Sequence, residues 1–328
     1  MAKAYSELAD ALVLAHHRRL ERSAASRLGR ASSLSRASAP VYFLHVSKSG
    51  GTSVCDLAYD EVNGCSPPSK DHDGFSAHCW TQGTGPAWES GAERRHMDLS
   101  CNETVDVFRR TKSSLVFNEG YLPAADPGGG GAAAVGRPQL SGSLCNEQLI
   151  HATVLRNPYK RVESHAHLLD VRKEAGDWGT RLWGDLSFKE KAKANPYIFD
   201  NYITRVLLGH ATYYSAGGSG SLGDDHLRAG QLQLMRFDVV ATLEHACGWQ
   251  HLWSRALLWP STDLDAHAKR RRVKKKVIKQ GRETDWDLIM RHNAIDYQLW
   301  RLGGVISSID HAIFGLSSLS PPSRLRTC

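Results

Sequence analysis

A continuous apolar run that opens into a glycine loop is the feature that most constrains this chain. The run VYFLHV (41–46) shows no alternation of apolar and polar residues, and SKSGG (47–51) follows it directly. Strands of a parallel sheet are covered by helices on both faces, so they read as continuous apolar segments. The sequence thus predicts a buried parallel strand whose carboxyl end leads into a glycine-containing turn.

Three more segments share this character and predict further buried strands. They are SLVFN (114–118), ATVLR (152–156) and FDVVAT (237–242). Helical patterns separate them, and strands that alternate with helices are typical of a parallel sheet. The predicted fold class is therefore α/β, with a P-loop-type doubly wound parallel sheet flanked by helices.

Asparagine, proline and glycine mark the ends of the predicted helices. Asn157-Pro158 supplies an N-cap and a proline at the first helical position, and it opens a helix to about residue 171. Asn195-Pro196 repeats the pattern, and Gly209 ends that second helix. The last long helix is expected to begin near Thr284, to bury Trp286, Ile289 and Leu299, and to end at Gly303-Gly304.

Composition divides the chain into a leader, a folded domain and a tail. Residues 1–40 include an acid-free stretch rich in Arg, Ser and Ala, which fits either a disordered leader or a targeting segment. The folded domain is expected over 41–315, with glycine-rich insertions at 126–136 and 215–224, and the tail over 316–328. No apolar run reaches the roughly 18 residues that a membrane span needs.

The net charge of +7 comes from one segment, KRRRVKKKVIKQGR (269–282), which holds nine of the 41 Lys and Arg residues and no acid. Such a run predicts a local anion-binding surface, while a solvated loop and a nuclear or nucleic-acid function remain open. No stacking surface or nucleic-acid motif accompanies it, so nucleic acid is not the expected partner. The seven cysteines form no C-x-x-C pair, so no metal site is expected, and disulfides or free thiols both remain open.

The loop after the first strand has the composition of a phosphate or sulfate cradle. Glycines let backbone N–H groups approach an anion, a helix N-terminus adds positive character, and a lysine adds a full charge. The lysine precedes the glycines, unlike the nucleotide triphosphatase pattern G-x-x-x-x-G-K-[ST], which disfavours a kinase or NTPase. The candidate ligands are Lys48, Ser49, Gly50, Gly51, Thr52 and Ser53.

A second candidate anion site follows the strand ATVLR. Arg156 ends that strand, and Ser164 lies two turns into the next helix. Ligands of parallel sheets gather at the carboxyl edge, so the two sites are expected to lie at the same edge. One ligand with an anionic group at each end would use both; alternatively, Arg156 caps nearby carbonyls and Ser164 is a surface hydroxyl.

FLHVSKSGGTS (43–53) and TVLRNPYKRVESH (153–165) resemble the two PAPS-binding motifs of the Golgi-type carbohydrate sulfotransferases, especially the heparan sulfate and uronyl 2-O-sulfotransferase group. PAPS is 3′-phosphoadenosine-5′-phosphosulfate, the sulfuryl donor. Three later segments also resemble that family in order, so that the resemblance covers about 41–303. They are DNYITRVLLG (200–209), FDVVATLEH (237–245), which resembles a strand usually followed by a Glu, and HNAIDYQLW (292–300).

This resemblance implies a donor site and a metal-free reaction. Lys48 would stabilise the leaving phosphate, the loop 49–53 would hold the 5′-phosphate, and Arg156 with Ser164 would hold the 3′-phosphate. A carbohydrate acceptor is implied, with Tyr121, Arg205, Lys274, Lys275 and Lys276 as candidate contacts. The family is usually found as type II Golgi membrane proteins, so a Golgi lumen or membrane location is implied, with a soluble or organellar one left open by the lack of an apolar anchor.

The chain also departs from the family pattern. Ser47 stands where a proline commonly precedes the lysine, and Asn157 where an aspartate often follows the arginine. After SLVFN, the 2-O-sulfotransferases carry a His as base, whereas this chain reads FNEGYLP, with Glu119. Protein-tyrosine sulfotransferases are similar in fold and use a Glu there, so Glu119 is the candidate base. Tyrosine sulfation and a non-catalytic, polyanion-binding descendant remain the alternatives.

Overall fold

The computed structural model describes residues 41–58, 105, 115–118, 122, 144, 149–174, 190, 196–213, 222–244, 252–253, 256–257 and 283–315. Its strands are β1 (Val41–Leu44), β2 (Leu115–Asn118), β3 (Ile150–Leu155) and β4 (Val239–Thr242). Its helices are α1 (Gly51–Ala58), α2 (Pro158–Glu174), α3 (Pro196–Phe199), α4 (Tyr202–Leu208), α5 (His210–Tyr213), α6 (Asp224–Met235), α7 (Glu283–His292) and α8 (Ala294–Gly315).

The four strands form one parallel sheet in the order β2-β1-β3-β4. At the carboxyl end of β1, Leu44 is paired with Asn118 of β2 on one side and with Thr153 of β3 on the other. The predicted α/β class with a parallel sheet is confirmed. Because the chain goes to one side of β1 to form β2 and then crosses to form β3, its direction across the sheet reverses between β1 and β3. Ligand sites of open α/β sheets lie at such a reversal.

The side chains of β1 alternate between two apolar clusters, one on each face of the sheet. Tyr42 and Leu44 lie in a cluster that includes buried residues of α4, α6 and α8. Val41 and Phe43 lie in the other cluster, with residues of α1 and with Trp253, whose ring centroid is 6.2 Å from that of Phe43. Both faces of β1 are therefore covered, which accounts for its continuous apolar sequence.

The helix predicted between Asn195 and Gly209 is two helices, and that prediction was wrong. Asp200 and Asn201 separate α3 from α4, and Asn201 has a left-handed φ of 48° that an α-helix cannot continue through. The predicted end at Gly209 is confirmed, since this residue follows α4 with φ 85°. The predicted start of α2 at Asn157-Pro158 is also confirmed, and α2 continues to Glu174.

The last predicted helix is likewise divided, into α7 and α8. Asn293 lies between them, and its Nδ2 donates to the carbonyls of Phe199 and Ile289, each at 2.9 Å. The expected end at Gly303-Gly304 was wrong, because both glycines lie inside α8. A Cβ at Gly303 would lie 2.6 Å from Leu155 Cδ1, so this glycine permits close packing of α8 against the sheet.

Several predicted features lie outside the described residues. Ile289 and Leu299 are buried as predicted, but the side chain of Trp286 is not described. Also outside are the leader, the 126–136 insertion, most of the 215–224 insertion, the basic run 269–282 and the tail after 315. Among the described helices, none combines the length and apolar character that crossing a bilayer would require.

Candidate functional site

The loop after β1 has an unusual backbone conformation. Lys48 has φ 66° and Gly50 has φ 88°, so two left-handed residues flank Ser49. The N–H of Ser49 donates to the carbonyl of Val46 at 3.1 Å, which closes the turn. A lysine has a β-carbon that disfavours this region of φ, and such conformations persist only when surrounding contacts hold them.

The loop is also tightly packed beneath Gly51. A Cβ built at Gly51 would lie 2.0 Å from Nε2 of His45, so the imidazole occupies the space that any larger residue would need. His45 is 6% exposed, so it is a packed residue of the core. The glycine at position 51 is therefore required by the close approach of His45.

Helix α1 begins directly from this loop. The carbonyl of Gly50 accepts hydrogen bonds from the N–H groups of Ser53 and Val54, at 3.0 and 3.3 Å. The first helical turn carries the positive end of the helix dipole, and its first two N–H groups, those of Gly51 and Thr52, have no carbonyl partner within the helix. The backbones of Gly51 and Thr52 thus contribute donors beside the loop; the side chain of Thr52 is outside the described residues.

Ser49 adds a buried hydroxyl to the loop. The residue is 1% exposed, and among the described residues its Oγ has no hydrogen-bond partner. Buried polar groups in folded proteins are nearly always paired, so an unpaired one calls for an explanation. A ligand oxygen bound at this loop would accept a hydrogen bond from the hydroxyl and so provide that explanation.

Arg156 connects the second predicted motif to the first. Its Nη1 donates to the carbonyl of Lys48 at 2.9 Å, across 108 positions of the sequence. Burial lowers the pKa of Arg156. The charges of Glu244 and Glu163 raise this pKa, so both acids act on the guanidinium. The guanidinium has five N–H donors, and this bond uses one of them.

Glu244, just after β4, organises the start of α2. Its Oε1 accepts from the N–H of Asn157 at 2.9 Å, and its Oε2 accepts from Nε1 of Trp300 on α8 at 3.0 Å. The Oδ1 of Asn157 in turn accepts from the N–H of Lys160 at 3.3 Å, as an N-cap does. Side-chain oxygens of Glu244 and Asn157 thus hold the N–H groups of Asn157 and Lys160 at the start of α2.

These features meet at one place in the fold. Lys48 and Ser49 follow β1, and Arg156 follows β3. The two loops therefore lie at the carboxyl ends of neighbouring strands, and the chain reverses its direction across the sheet between these strands. The bond from Arg156 to Lys48 shows that the two loops are in contact. The sequence predicted both groups of residues and their common edge; the direct bond between them had no sequence signal.

Arg205 does not lie in a position to contact an acceptor. It is 0% exposed, and its Nη2 lies 2.8 Å from Oδ2 of Asp200. Its Nε donates to the carbonyl of Asp200 at 2.7 Å and its Nη1 to that of Thr212 at 2.9 Å. The predicted role in substrate binding is therefore not supported by its position, because the guanidinium is enclosed and holds α4 to its neighbours.

The segments DNYITRVLLG and HNAIDYQLW form one buried polar network. Asp296 accepts from the N–H of Thr204 at 2.8 Å and from its Oγ1 at 2.7 Å. Asn201 accepts from the N–H of Asp296 at 3.2 Å, and Asn201, Thr204 and Asp296 are all 5% exposed or less. These two later segments of the resemblance are therefore joined to each other by buried hydrogen bonds. None of these bonds involves the loop after β1.

Sequence reasoning missed Arg161, one turn into α2. This residue is fully buried, its guanidinium lies 4.5 Å from the ring centroid of Tyr202, and its Nη2 donates to the carbonyl of Ile198. Its Nε and Nη1 have no hydrogen-bond partner among the described residues, and burial lowers its pKa. A single buried arginine within a helix carries no sequence signal that separates it from a surface one.

The remaining predicted residues are distributed between described and undescribed parts. Ser53 and Ser164 are partly buried, on α1 and α2. Glu119, Tyr121, Lys274, Lys275 and Lys276 lie outside the described residues. Among the residues that are described, no group of three or more His, Cys, Asp or Glu side chains is arranged to hold a metal ion.

Comparisons of the chain with protein-family models, with curated proteins and with solved structures found no match.

Proposed function

We propose that this protein is a sulfotransferase that moves the sulfuryl group of PAPS onto a hydroxyl of a carbohydrate acceptor. The observation that carries the proposal is the contact between the two candidate anion-binding loops, made by Arg156 Nη1 and the Lys48 carbonyl. A donor with a phosphosulfate at one end and a 3′-phosphate at the other needs two anion sites close together. The loop after β1 and the start of α2 meet that requirement at a reversal point of the sheet.

The loop after β1 is assigned to the phosphosulfate end. The first-turn N–H groups of α1 and the unpaired hydroxyl of Ser49 supply donors to phosphate oxygens. Lys48 follows the strand in this same loop and supplies the full positive charge. Its ammonium would stabilise the oxygen that leaves with the 5′-phosphate as the S–O bond breaks.

Arg156 and Ser164 are assigned to the 3′-phosphate. Arginine binds phosphate with paired N–H donors, and Arg156 retains four donors after its bond to the loop. Ser164 lies two turns along α2, the helix that starts beside Arg156. Fixing this end of the donor would fix the position of the sulfuryl group at the other end.

Glu119 is assigned as the base that takes the proton of the acceptor hydroxyl. It follows Asn118 in the sequence, and Asn118 is paired with Leu44 of β1, four residues before Lys48. The acceptor oxygen would form a bond to sulfur while the bond from sulfur to the phosphate oxygen breaks. The proton would go to the carboxylate, and 3′-phosphoadenosine-5′-phosphate would leave.

The acceptor class rests on charge. The nine cations of 269–282 suit an acceptor that is already anionic, such as a sulfated or uronic-acid polysaccharide. Tyr121 lies two residues from the proposed base and is a candidate contact for a sugar ring. Sulfation of a tyrosine hydroxyl is the alternative outcome in acceptor assays, since a carboxylate base serves either acceptor.

Calorimetric titration with 3′-phosphoadenosine-5′-phosphate tests the donor site. Micromolar binding by the intact protein is expected, with a loss of about tenfold or more in each of Lys48→Ala and Arg156→Ala. Arg228→Ala is the matched control, because Arg228 is an exposed arginine of α6 that pairs loosely with Asp225 at 3.7 Å. Absence of binding by the folded, intact protein would remove the proposal.

A transfer assay with labelled PAPS and a panel of polysaccharides and tyrosine peptides tests the reaction. Glu119→Gln is expected to lower the rate by roughly 10²–10⁴-fold while nucleotide binding is retained. Normal turnover by Glu119→Gln would reject Glu119 as the base. Nucleotide binding without transfer to any acceptor would favour a non-catalytic, polyanion-binding protein.

A further inference from the structure

The contact between Arg156 and Lys48 has a consequence for how the two ends of the site work together. The guanidinium donates to the carbonyl of a residue whose φ is 66°. That carbonyl belongs to the loop itself, so the bond fixes the backbone and not the lysine side chain. Such a bond is the carbonyl cap that the sequence left open as the alternative role of Arg156, and it leaves the other N–H donors of the guanidinium for a ligand.

The left-handed conformation of Lys48 requires support from its surroundings. A non-glycine residue in this region is disfavoured by contact between its β-carbon and the backbone. Within the loop, Ser49 N–H donates to Val46 and the carbonyl of Gly50 caps α1, but neither bond involves the Lys48 carbonyl. The carbonyl of Lys48 accepts a hydrogen bond from Arg156, which follows a different strand, β3.

Arg156 is in turn held by neighbours on its own side. Its next residue, Asn157, donates its N–H to Glu244, and Glu244 also accepts from Trp300 of α8. The charges of Glu244, just after β4, and of Glu163 on α2 act on the guanidinium. The arginine therefore connects a braced helix start to the loop after β1.

We infer that Arg156 is a positioning residue for the loop 47–50, so that it controls binding of the 5′ end of the donor as well as binding the 3′-phosphate. The nucleotide part of this inference rests on the proposed function. Removal of the guanidinium would take away one support of the left-handed conformation at Lys48 and loosen the first-turn donors of α1 beside it. Ser164, the other residue assigned to the 3′-phosphate, makes no hydrogen bond to this loop within the described part of the chain and would not have this effect.

Hydrogen exchange of the ligand-free protein tests the positioning role directly. Peptides that cover 45–54 are expected to exchange about tenfold faster in Arg156→Ala than in the intact protein, which is the ratio expected for loss of one hydrogen bond from a charged donor. Peptides from α8 serve as the internal reference for global stability. Ser164→Ala and Arg228→Ala are expected to leave the 45–54 peptides unchanged, and Arg156→Lys keeps the measurement available if the alanine variant does not fold.

Calorimetry with two nucleotides tests the consequence for binding. Adenosine 5′-phosphate lacks the 3′-phosphate, so a residue that only binds that group would not affect it. Arg156→Ala is expected to weaken both adenosine 5′-phosphate and 3′-phosphoadenosine-5′-phosphate by at least fivefold, whereas Ser164→Ala is expected to weaken only the latter.

The outcomes separate this inference from the proposed function. Unchanged exchange at 45–54 in Arg156→Ala, with only the 3′,5′-diphosphate weakened, would overturn the positioning role and leave the donor site intact. Faster exchange confined to 45–54 in Arg156→Ala, together with no binding of either nucleotide by the intact protein, would support the positioning role and remove the sulfotransferase proposal.

Discussion

Asn201 and Asp296 cap each other's helices. Asn201 precedes α4, and its Oδ1 accepts from the N–H groups at the start of α8, those of Ile295 at 3.1 Å and Asp296 at 3.2 Å. Asp296 lies in the first turn of α8, and its carboxylate accepts from the N–H groups of α4, those of Ile203 at 2.7 Å and Thr204 at 2.8 Å. Two residues that are 95 positions apart thus satisfy the buried first-turn N–H donors of each other's helices.

Removing either cap is expected to destabilise the protein. Asp296→Ala leaves the buried donors of Ile203 and Thr204 without partners, so we expect a loss of about 3 kcal/mol in the free energy of unfolding. Asn201→Ala is expected to cost about 2 kcal/mol. Urea denaturation measures both, with Asp225→Ala on the exposed start of α6 as control. A loss no larger than in that control would contradict the role of the pair.

The pH dependence of stability is expected to contain a contribution from His292. Burial lowers the pKa of His292, Asp200 opposes this by raising it, and Arg291 lowers it further. Because the folded pKa is below the unfolded value, this contribution is complete above the unfolded pKa of about 6.5 and is lost as the pH falls through the folded pKa. Urea denaturation at several pH values between 7.5 and 5 should show that the free energy of unfolding falls less with pH for His292→Gln than for the intact protein. Parallel curves would show that His292 does not contribute.

Adjacent glycines of α8 are expected to respond in opposite directions. A Cβ at Gly303 would meet Leu155 Cδ1 at 2.6 Å, whereas nothing lies within 4 Å of a Cβ at Gly304. Gly304→Ala should stabilise the protein by about 0.5–1 kcal/mol, since alanine favours the helix. Gly303→Ala should be less stable than Gly304→Ala by about 1–3 kcal/mol, because Leu155 is enclosed in the core. Thermal unfolding of the two variants gives the comparison, and equal stabilities would refute it.

Arg205 is expected to affect stability and not acceptor binding. Removing a fully buried partner leaves Asp200 as an uncompensated charge, so Arg205→Ala should lower the free energy of unfolding by about 3–5 kcal/mol. Arg228→Ala removes an exposed pair and should cost about 1 kcal/mol or less. If Arg205→Lys folds normally and raises the acceptor KM, then the residue contacts the acceptor after all.

The basic run is expected to bind the acceptor independently of the donor. Changing Lys274, Lys275 and Lys276 together to Glu should weaken binding of heparin, used as an anionic polysaccharide probe, by roughly tenfold and reduce its salt dependence. The affinity for 3′-phosphoadenosine-5′-phosphate should not change. Arg228→Glu is the control for an isolated charge reversal. An equal loss of affinity for heparin and for 3′-phosphoadenosine-5′-phosphate would assign the run to the donor site.

The strand and helix patterns were readable because they depend on local sequence. Continuous apolar runs marked the four strands of the described part of the chain, since strands covered on both faces carry apolar residues on both faces. Asn157-Pro158 marked the start of α2, since a cap and a fixed φ act within a few residues. The helix breaks at Asn201 and Asn293 were missed, because each asparagine is held by bonds to a distant helix.

The sequence by itself determined which segments form the sheet and which residue types can hold an anion at its carboxyl edge. Tertiary structure decided which of those residues meet: Arg156 reaches Lys48, while Arg205 is enclosed against Asp200. It also decided that Gly303 lies within α8 and does not end it, through its approach to Leu155. The physical reason is that a periodic pattern specifies that a face is buried, whereas the partner that buries it is fixed only when distant segments pack together.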